Sequence, residues 1–357
     1  MSATDPSALA LFWVAVIGVA ILAYVVLDGF DLGVGILFGA TKDEALRDGM
    51  IASISPFWDG NETWLIVVGA TLFAAFPAVY AVFLGAFYIP VLLLLLGLIF
   101  RGVAFEFRAR GTAQGFWDRC FVVGSVVAAF VQGAAVGAMI RGIPVVNGQF
   151  SGGSFDWVAA FPILHGIGLV LGYALLGAGW LVLKSEDPLR SWARSRIPVL
   201  ATAVVAVLCV AVVMAFIDRV RMTGSLFLDR PWGFVFPLIG ILAIVGIFAG
   251  VSQRRDSWPF AMTVVLFVAA FLSLAVMFWP YMIPYSVTVA AAAAPQASLS
   301  FLFWGAGLFV LPVISAYTAV VYWMFRGKQR KGYTPTSAPL THPGMDSGVV
   351  ERRELIQ

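Results

Sequence analysis

The residues of this chain best able to do chemistry are acids in an apolar setting. Asp28 and Asp31 follow a run from Ala8 to Leu27 that carries no charge. An ionised Asp in a membrane-spanning helix costs roughly 2.5–3.5 kcal/mol near the centre on insertion scales and less toward the ends, so this pair needs partners, water or a task such as passing protons. A spacing of three places both on one helical face. A second pair, Asp59 and Glu62, lies in the stretch Phe57-Trp58-Asp59-Gly60-Asn61-Glu62-Thr63-Trp64. It reads in two ways: as titratable groups beside the first pair, or as acids of a first helical turn that cap the helix and favour its dipole. The capping reading has more force for Glu62 than for Asp59, and it does not reach Asp28, which lies well inside a helix. Arg101 is the candidate charge partner of these acids; an anchor reaching toward lipid headgroups is its equal alternative.

The elements that must position these groups follow from composition. Of 357 residues, 61% are hydrophobic and 11% are charged, and the mean hydropathy is +0.95. Soluble domains carry about 25% charged residues, so the chain is an all-α polytopic membrane protein, and nothing in it points to nucleic acid. Crossing a hydrocarbon core of about 30 Å takes about twenty helical residues. Nine apolar stretches qualify, near 9–37, 59–76, 80–100, 121–140, 158–183, 199–217, 234–251, 260–282 and 299–325. Together they make residues 1–330 one transmembrane domain, with 331–357 as a polar tail. The first seven residues lack the basic segment of a cleaved signal peptide, so the first stretch is read as a retained span. Gly29 and Gly33, four apart on the face adjoining the acids, form a small-xxx-small pattern that lets another helix backbone approach closely.

The basic residues orient the spans. With the amino terminus outside and sides alternating, all but four of the 22 Lys and Arg fall on inner segments, the exceptions being Arg141, Arg219, Arg221 and Arg230. The positive-inside rule therefore predicts amino terminus out and carboxyl terminus in. Asp28 comes nineteen residues after the start of the first span, about 28 Å of helical rise, which puts both Asp28 and Asp31 toward the cytoplasmic boundary. The second span starts on that side, so Asp28, Asp31, Asp59 and Glu62 are expected to converge at the inner end of one helical hairpin.

Other candidate chemistry is sparse. Cys120 and Cys209 stand far apart, with no CxxC or CxxCH motif, and read as inert thiols. His165 is the one histidine inside a span and His342 lies in the tail, so the chain cannot supply the paired imidazoles of a bis-histidine heme by itself. His165 reads as a satisfied core or boundary residue, with a heme or quinone contact as the alternative. The ten methionines read as packing.

Leu27-Asp28-Gly29-Phe30-Asp31-Leu32-Gly33-Val34-Gly35 and Pro56-Phe57-Trp58-Asp59-Gly60-Asn61-Glu62-Thr63-Trp64-Leu65 together resemble the signature of subunit II of cytochrome bd-type quinol oxidases. Leu72 to Ala81, Phe100 to Arg108 and Leu311 to Lys328 add to the likeness, which covers nearly the whole chain. One stretch departs from it: Val289 to Pro295 is almost all alanine, where an aromatic and an acidic residue are expected. The resemblance implies two four-helix bundles plus a peripheral helix, and a partner, subunit I, that holds the b-type hemes, heme d or a b-type replacement, and the quinol-oxidising loop. This chain would ligate no heme. It would stabilise its partner, contribute to a proton path from the cytoplasm through Asp28, Asp31, Asp59 and Glu62, and in some members hold a structural quinone such as ubiquinone. The resemblance places it in the bacterial cytoplasmic membrane, among lipids and quinol, with small single-helix accessory subunits as further candidate partners. The rival from another class is a proton-coupled secondary transporter, which also uses intramembrane acids and glycine-rich helices.

Overall fold

The computed structural model describes residues 5–108, 113–217 and 230–328. The chain begins with α1 (Ala8–Phe38), capped by the Ser7 hydroxyl, which accepts from the Ala10 N–H. An eleven-residue helix that the apolar pattern does not predict, α2 (Glu44–Ile54), follows behind an Asp43 cap. Next come α3 (Trp58–Ala75), α4 (Pro77–Arg108) and α5 (Gln114–Arg141). A small hairpin, β1 (Val145–Val146) with β2 (Gln149–Phe150), pairs Val145 with Phe150 and leads to α6 (Ala160–Lys184) and α7 (Leu189–Ile217). Beyond the next described residues lie α8 (Val235–Ser252) and α9 (Ser257–Phe278), then a second hairpin, β3 (Tyr281–Ile283) with β4 (Val287–Thr288). The alanine run forms the short α10 (Val289–Ala292), and α11 (Gln296–Leu302) joins α12 (Val310–Met324) through a π-helical turn at Phe303–Gly307.

The chain is thus an all-α, multi-pass membrane protein. Among the described residues, eight helices are long and apolar enough to cross a membrane by length and composition. The stretch expected at 59–76 is present as the 18-residue α3, whose first turns carry Asp59, Asn61 and Glu62 in place of apolar residues. Three expected boundaries are corrected. The third helix begins at 77 and runs to 108, because the sequence from Arg101 onward continues the helix into polar surroundings. The sixth begins at Leu189 and not at 199, since Pro198 is accommodated inside it. The fourth begins at Gln114 and not at 121, while the last, expected over 299–325, is one span over Gln296–Met324 that carries the π turn. The boundary at 330 and the tail, with His342, lie outside the described residues, as do Arg110, Arg219 and Arg221.

Two helices form the centre. Every residue from Asp28 to Gly35 on α1, and from Gly172 to Val182 on α6, is buried, the pattern of a helix enclosed on all sides. They meet through glycine: a Cβ on Gly33 would lie 1.8 Å from the Tyr173 carbonyl oxygen, and one on Gly177 would lie 2.5 Å from the Gly33 carbonyl carbon. The expected close approach at Gly29 and Gly33 is present, with α6 as the partner. Around this seam a continuous core includes Phe30, Phe38, Phe57, Phe121 and Trp180, with Phe30 stacked on Trp180 at a centroid distance of 4.0 Å. Lys184, at the end of α6, donates to the Phe325 carbonyl beyond α12 and rests over the Trp180 and Phe57 rings, tying the last helix to this core.

Candidate functional site

α1 brings Asp28 and Asp31 to the interior, and both are fully buried at 0% exposure. α4 supplies Arg101, also buried, whose Nη1 donates to Asp28 Oδ1 at 2.9 Å. Arg101 can reach inward because α4 and α5 touch at glycine: a Cβ on Gly124 would lie 2.4 Å from the Gly97 carbonyl oxygen and 3.2 Å from the Arg101 nitrogen. Of the two readings of Arg101, the structure shows the ion pair. A buried pair of this kind is weak evidence for stability, because desolvating both charges offsets most of their attraction.

Asp31 has a neutral partner. Asn61 on α3 donates from Nδ2 to Asp31 Oδ2 at 2.7 Å and to the Leu27 carbonyl at 3.2 Å. A carbonyl only accepts, so the amide nitrogen must face α1 and Asn61 Oδ1 must face away. There the Tyr322 hydroxyl of α12 donates to it at 2.9 Å. A third strand of polar contacts lies one turn back on α1: Gln132 Nε2 of α5 donates to the Tyr24 hydroxyl at 3.2 Å, and the Tyr173 hydroxyl of α6 donates to Gln132 Oε1 at 3.0 Å.

The second pair of acids separates. Glu62 is half-buried, within electrostatic reach of Asp28, Arg101 and Asp59. Asp59 is exposed, so it does not join the other three in the interior; it opens outward from the first turn of α3. The capping expectation is also corrected, because the cap position is Phe57 and no side chain bonds to the freed N–H groups. Asp59 keeps the weaker benefit of an acid near a helix N-terminus.

Four buried side-chain atoms have no protein partner among the described residues: Asp28 Oδ2, Asp31 Oδ1, Arg101 Nη2 and Trp64 Nε1. They belong to residues of the same polar patch, or in the case of Trp64 to the helix that carries Asn61. Buried polar groups are ordinarily satisfied, and water is the usual partner where protein supplies none.

A second charged cluster, which the sequence reading did not single out, lies at the ends of the same helices. Asp118 of α5 accepts from Arg47 of α2 at 2.9 Å and from Arg108 of α4 at 2.8 Å, and Arg108 also reaches Glu44 and Asp48. Among the described residues no group of three or more His, Cys, Asp and Glu is arranged to hold a metal ion. His165 is half-buried, with Nδ1 2.8 Å from the Phe161 carbonyl, the geometry of a residue satisfied within its own helix.

These features meet in a known family. The sequence profile of Cytochrome bd terminal oxidase subunit II matches residues 9–325. The chain belongs to this family. It is 29% identical to Cytochrome bd-I ubiquinol oxidase subunit 2 of Escherichia coli (strain K12), over 92% of this chain and 97% of that protein. It is 31% identical to Cytochrome bd ubiquinol oxidase subunit 2 of Bacillus subtilis (strain 168), over 88% and 95%. The bd oxidase structure from Geobacillus thermodenitrificans contains a chain of like fold, with a TM-score of 0.73 and 15% identity, covering 89% of this chain and 99% of that one. As a subunit II, the chain is one part of a heme-containing terminal oxidase, an oxidoreductase, and implies a subunit I. The transporter reading has no support from these comparisons.

Proposed function

We propose that this chain is the subunit of a bacterial inner-membrane quinol:O2 oxidoreductase that stabilises a heme-bearing subunit I and carries protons inward from the cytoplasm toward the site of O2 reduction. The observation that carries the proton reading is the patch itself: buried carboxylates on α1, one paired with Arg101 and one with Asn61, with unpartnered polar atoms on Asp28, Asp31, Arg101 and Trp64. A path for protons needs groups that exchange protons with water and a route between them. Asp59, exposed at the start of α3, is the entrance in this reading; Glu62 stands between it and Asp28, whose charge Arg101 balances. Hemes held by the partner would supply the redox chemistry, taking electrons from quinol and reducing O2 to water. This chain's residues would deliver protons and keep the charge of Asp28 compensated between deliveries.

The test is quinol-driven O2 consumption and membrane-potential generation by the reconstituted complex. An Asp28→Asn, Asp59→Asn double variant, which keeps size and polarity but removes titration, should assemble with normal heme content and turn over slowly. Full turnover and potential in that variant would place proton entry in the partner and leave these acids a structural role.

A further inference from the structure

Away from the acids, a cavity of about 310 Å3 opens between the first part of α4, the end of α5 and the loop after β2. Its walls are of mixed character, with Phe87, Ile143, Phe150 and Trp157 beside one charge of each sign, Arg141 and Asp156. Both side chains are exposed, and no ion pair within 4.0 Å involves either among the described residues. Asp156 accepts one hydrogen bond, from the Gly153 N–H at 2.8 Å, through Oδ2. α4 adds a third feature. It is kinked at Phe87 (φ −118°, ψ 27°) with Pro90 one turn on; a proline has no N–H, so the carbonyl four residues back, that of Ala86, loses its helical donor. Ala86 lines the cavity.

A pocket at a helix end in a membrane protein, with aromatic rings, a guanidinium and a carboxylate in its wall, matches one kind of occupant. We infer that it seats the headgroup of a zwitterionic phospholipid with a primary ammonium, such as phosphatidylethanolamine. The phosphate pairs with Arg141, whose planar fork suits its oxygens. The ammonium has three N–H donors, of which Asp156 accepts at least one. A trimethylammonium headgroup has none, and an anionic glycerol headgroup leaves Asp156 facing like charge. The volume sits at the small end of ligand pockets, roughly 300–1,000 Å3, which suits a headgroup with the upper part of its chains. The distribution of basic residues assigns this end of the molecule to the outer leaflet.

The experiment is native mass spectrometry of the whole purified complex, delipidated in detergent and then offered dioleoyl-phosphatidylethanolamine, -phosphatidylcholine or -phosphatidylglycerol separately. Phosphatidylethanolamine should be retained about tenfold over either competitor, the effect of one charge-assisted hydrogen bond. Arg141→Gln and Asp156→Asn should each lower its retention by a similar factor, and Arg141→Lys should restore most of it. Both positions are exposed and far from the acid patch, so heme content and turnover should stay unchanged. Equal retention of the three lipids, or retention of phosphatidylethanolamine that neither charge-removing variant alters, would overturn the assignment. Preference for phosphatidylglycerol that depends on Arg141 alone would overturn it too, by showing an anion site in which Asp156 has no part.

Discussion

The helices fall into two sets with matching neighbours, and the sets differ in what they bury. In the first, α1 packs on α3 and α5, and α4 on α5; in the second, α6 packs on α7 and α9, and α8 on α9. The first set encloses Asp28, Asp31, Asn61 and Arg101, with Asp118 near its end. Within the helices of the second, the buried polar residues among those described are Thr263, satisfied by the Pro259 carbonyl, and Lys184 at the last position of α6. The second set shows that this packing forms without an interior ion pair. Burying charge is costly, so the acids and Arg101 of the first set are better explained by a task than by a need of the fold.

The largest expected effect breaks the first set alone. Arg101→Leu leaves Asp28 buried without a counter-charge and should cost about 3–5 kcal/mol, seen as loss of assembled complex in mild detergent. Asp28→Leu combined with Arg101→Leu should restore assembly while O2 consumption stays low; if assembly stays lost, the ion pair belongs to the fold and the contrast between the sets disappears. Next in size is the seam that joins them. Gly33→Ala pushes a methyl onto the Tyr173 carbonyl, and overpacking of this kind costs about 1–3 kcal/mol; the midpoint of thermal inactivation should fall for the whole complex, with turnover per assembled complex little altered.

A smaller effect is expected where α12 meets the patch. Tyr322→Phe removes the donor to Asn61 and should cost about 1 kcal/mol. The same variant should alter the pH profile of turnover if Asn61 sets the state of Asp31, and leave the profile in place if Tyr322 only fastens a helix. The smallest effect tests the second set, whose ionic contacts sit at its rim. Asp256 touches Arg190, Arg194 and Lys328; partial burial pushes its carboxyl up, and these cations outweigh that and hold it below the usual carboxylate range. A depressed value in the folded state stabilises above the unfolded value of about 3.9 and loses that stabilisation as pH falls through the folded one. The gap in thermal midpoint between the parent and Asp256→Asn should therefore be present at pH 7, within roughly 1 kcal/mol, and close below about pH 4.

What the sequence made legible was set by range. Asp28 and Asp31 interrupt an apolar run, and Gly29 and Gly33 lie on its neighbouring face, so both burial and close packing follow from one local pattern. That Asn61 faces Asp31, and that Tyr322 holds the far side of Asn61, depends on residues 30 and 261 positions apart, and no local spacing encodes such a meeting. Gln132 did leave a signal, as a lone amide in the apolar interior of α5. Asp118 left less, because a charge just before a span looks like any solvated helix end until Arg47 and Arg108 are folded onto it. One helix boundary fell short at Pro198, because a stretch begun at 199 misses the helix that runs through the proline from Leu189.

The distance between the two charged clusters of the first set has an electrical consequence. Arg101, which meets Asp28, and Arg108, which meets Asp118, are seven residues apart on α4, about 10 Å of helical rise. If the Arg108 cluster marks the aqueous boundary, a proton reaching Asp28 has crossed about a third of a 30 Å hydrocarbon layer. Moving one charge through the full potential takes about 2.3 kcal/mol per 100 mV, so this step would carry about a third of that. Loading of Asp28 from the cytoplasm would then respond to voltage as well as to pH, and a potential that is negative inside would oppose it, because the proton moves toward the positive outer face.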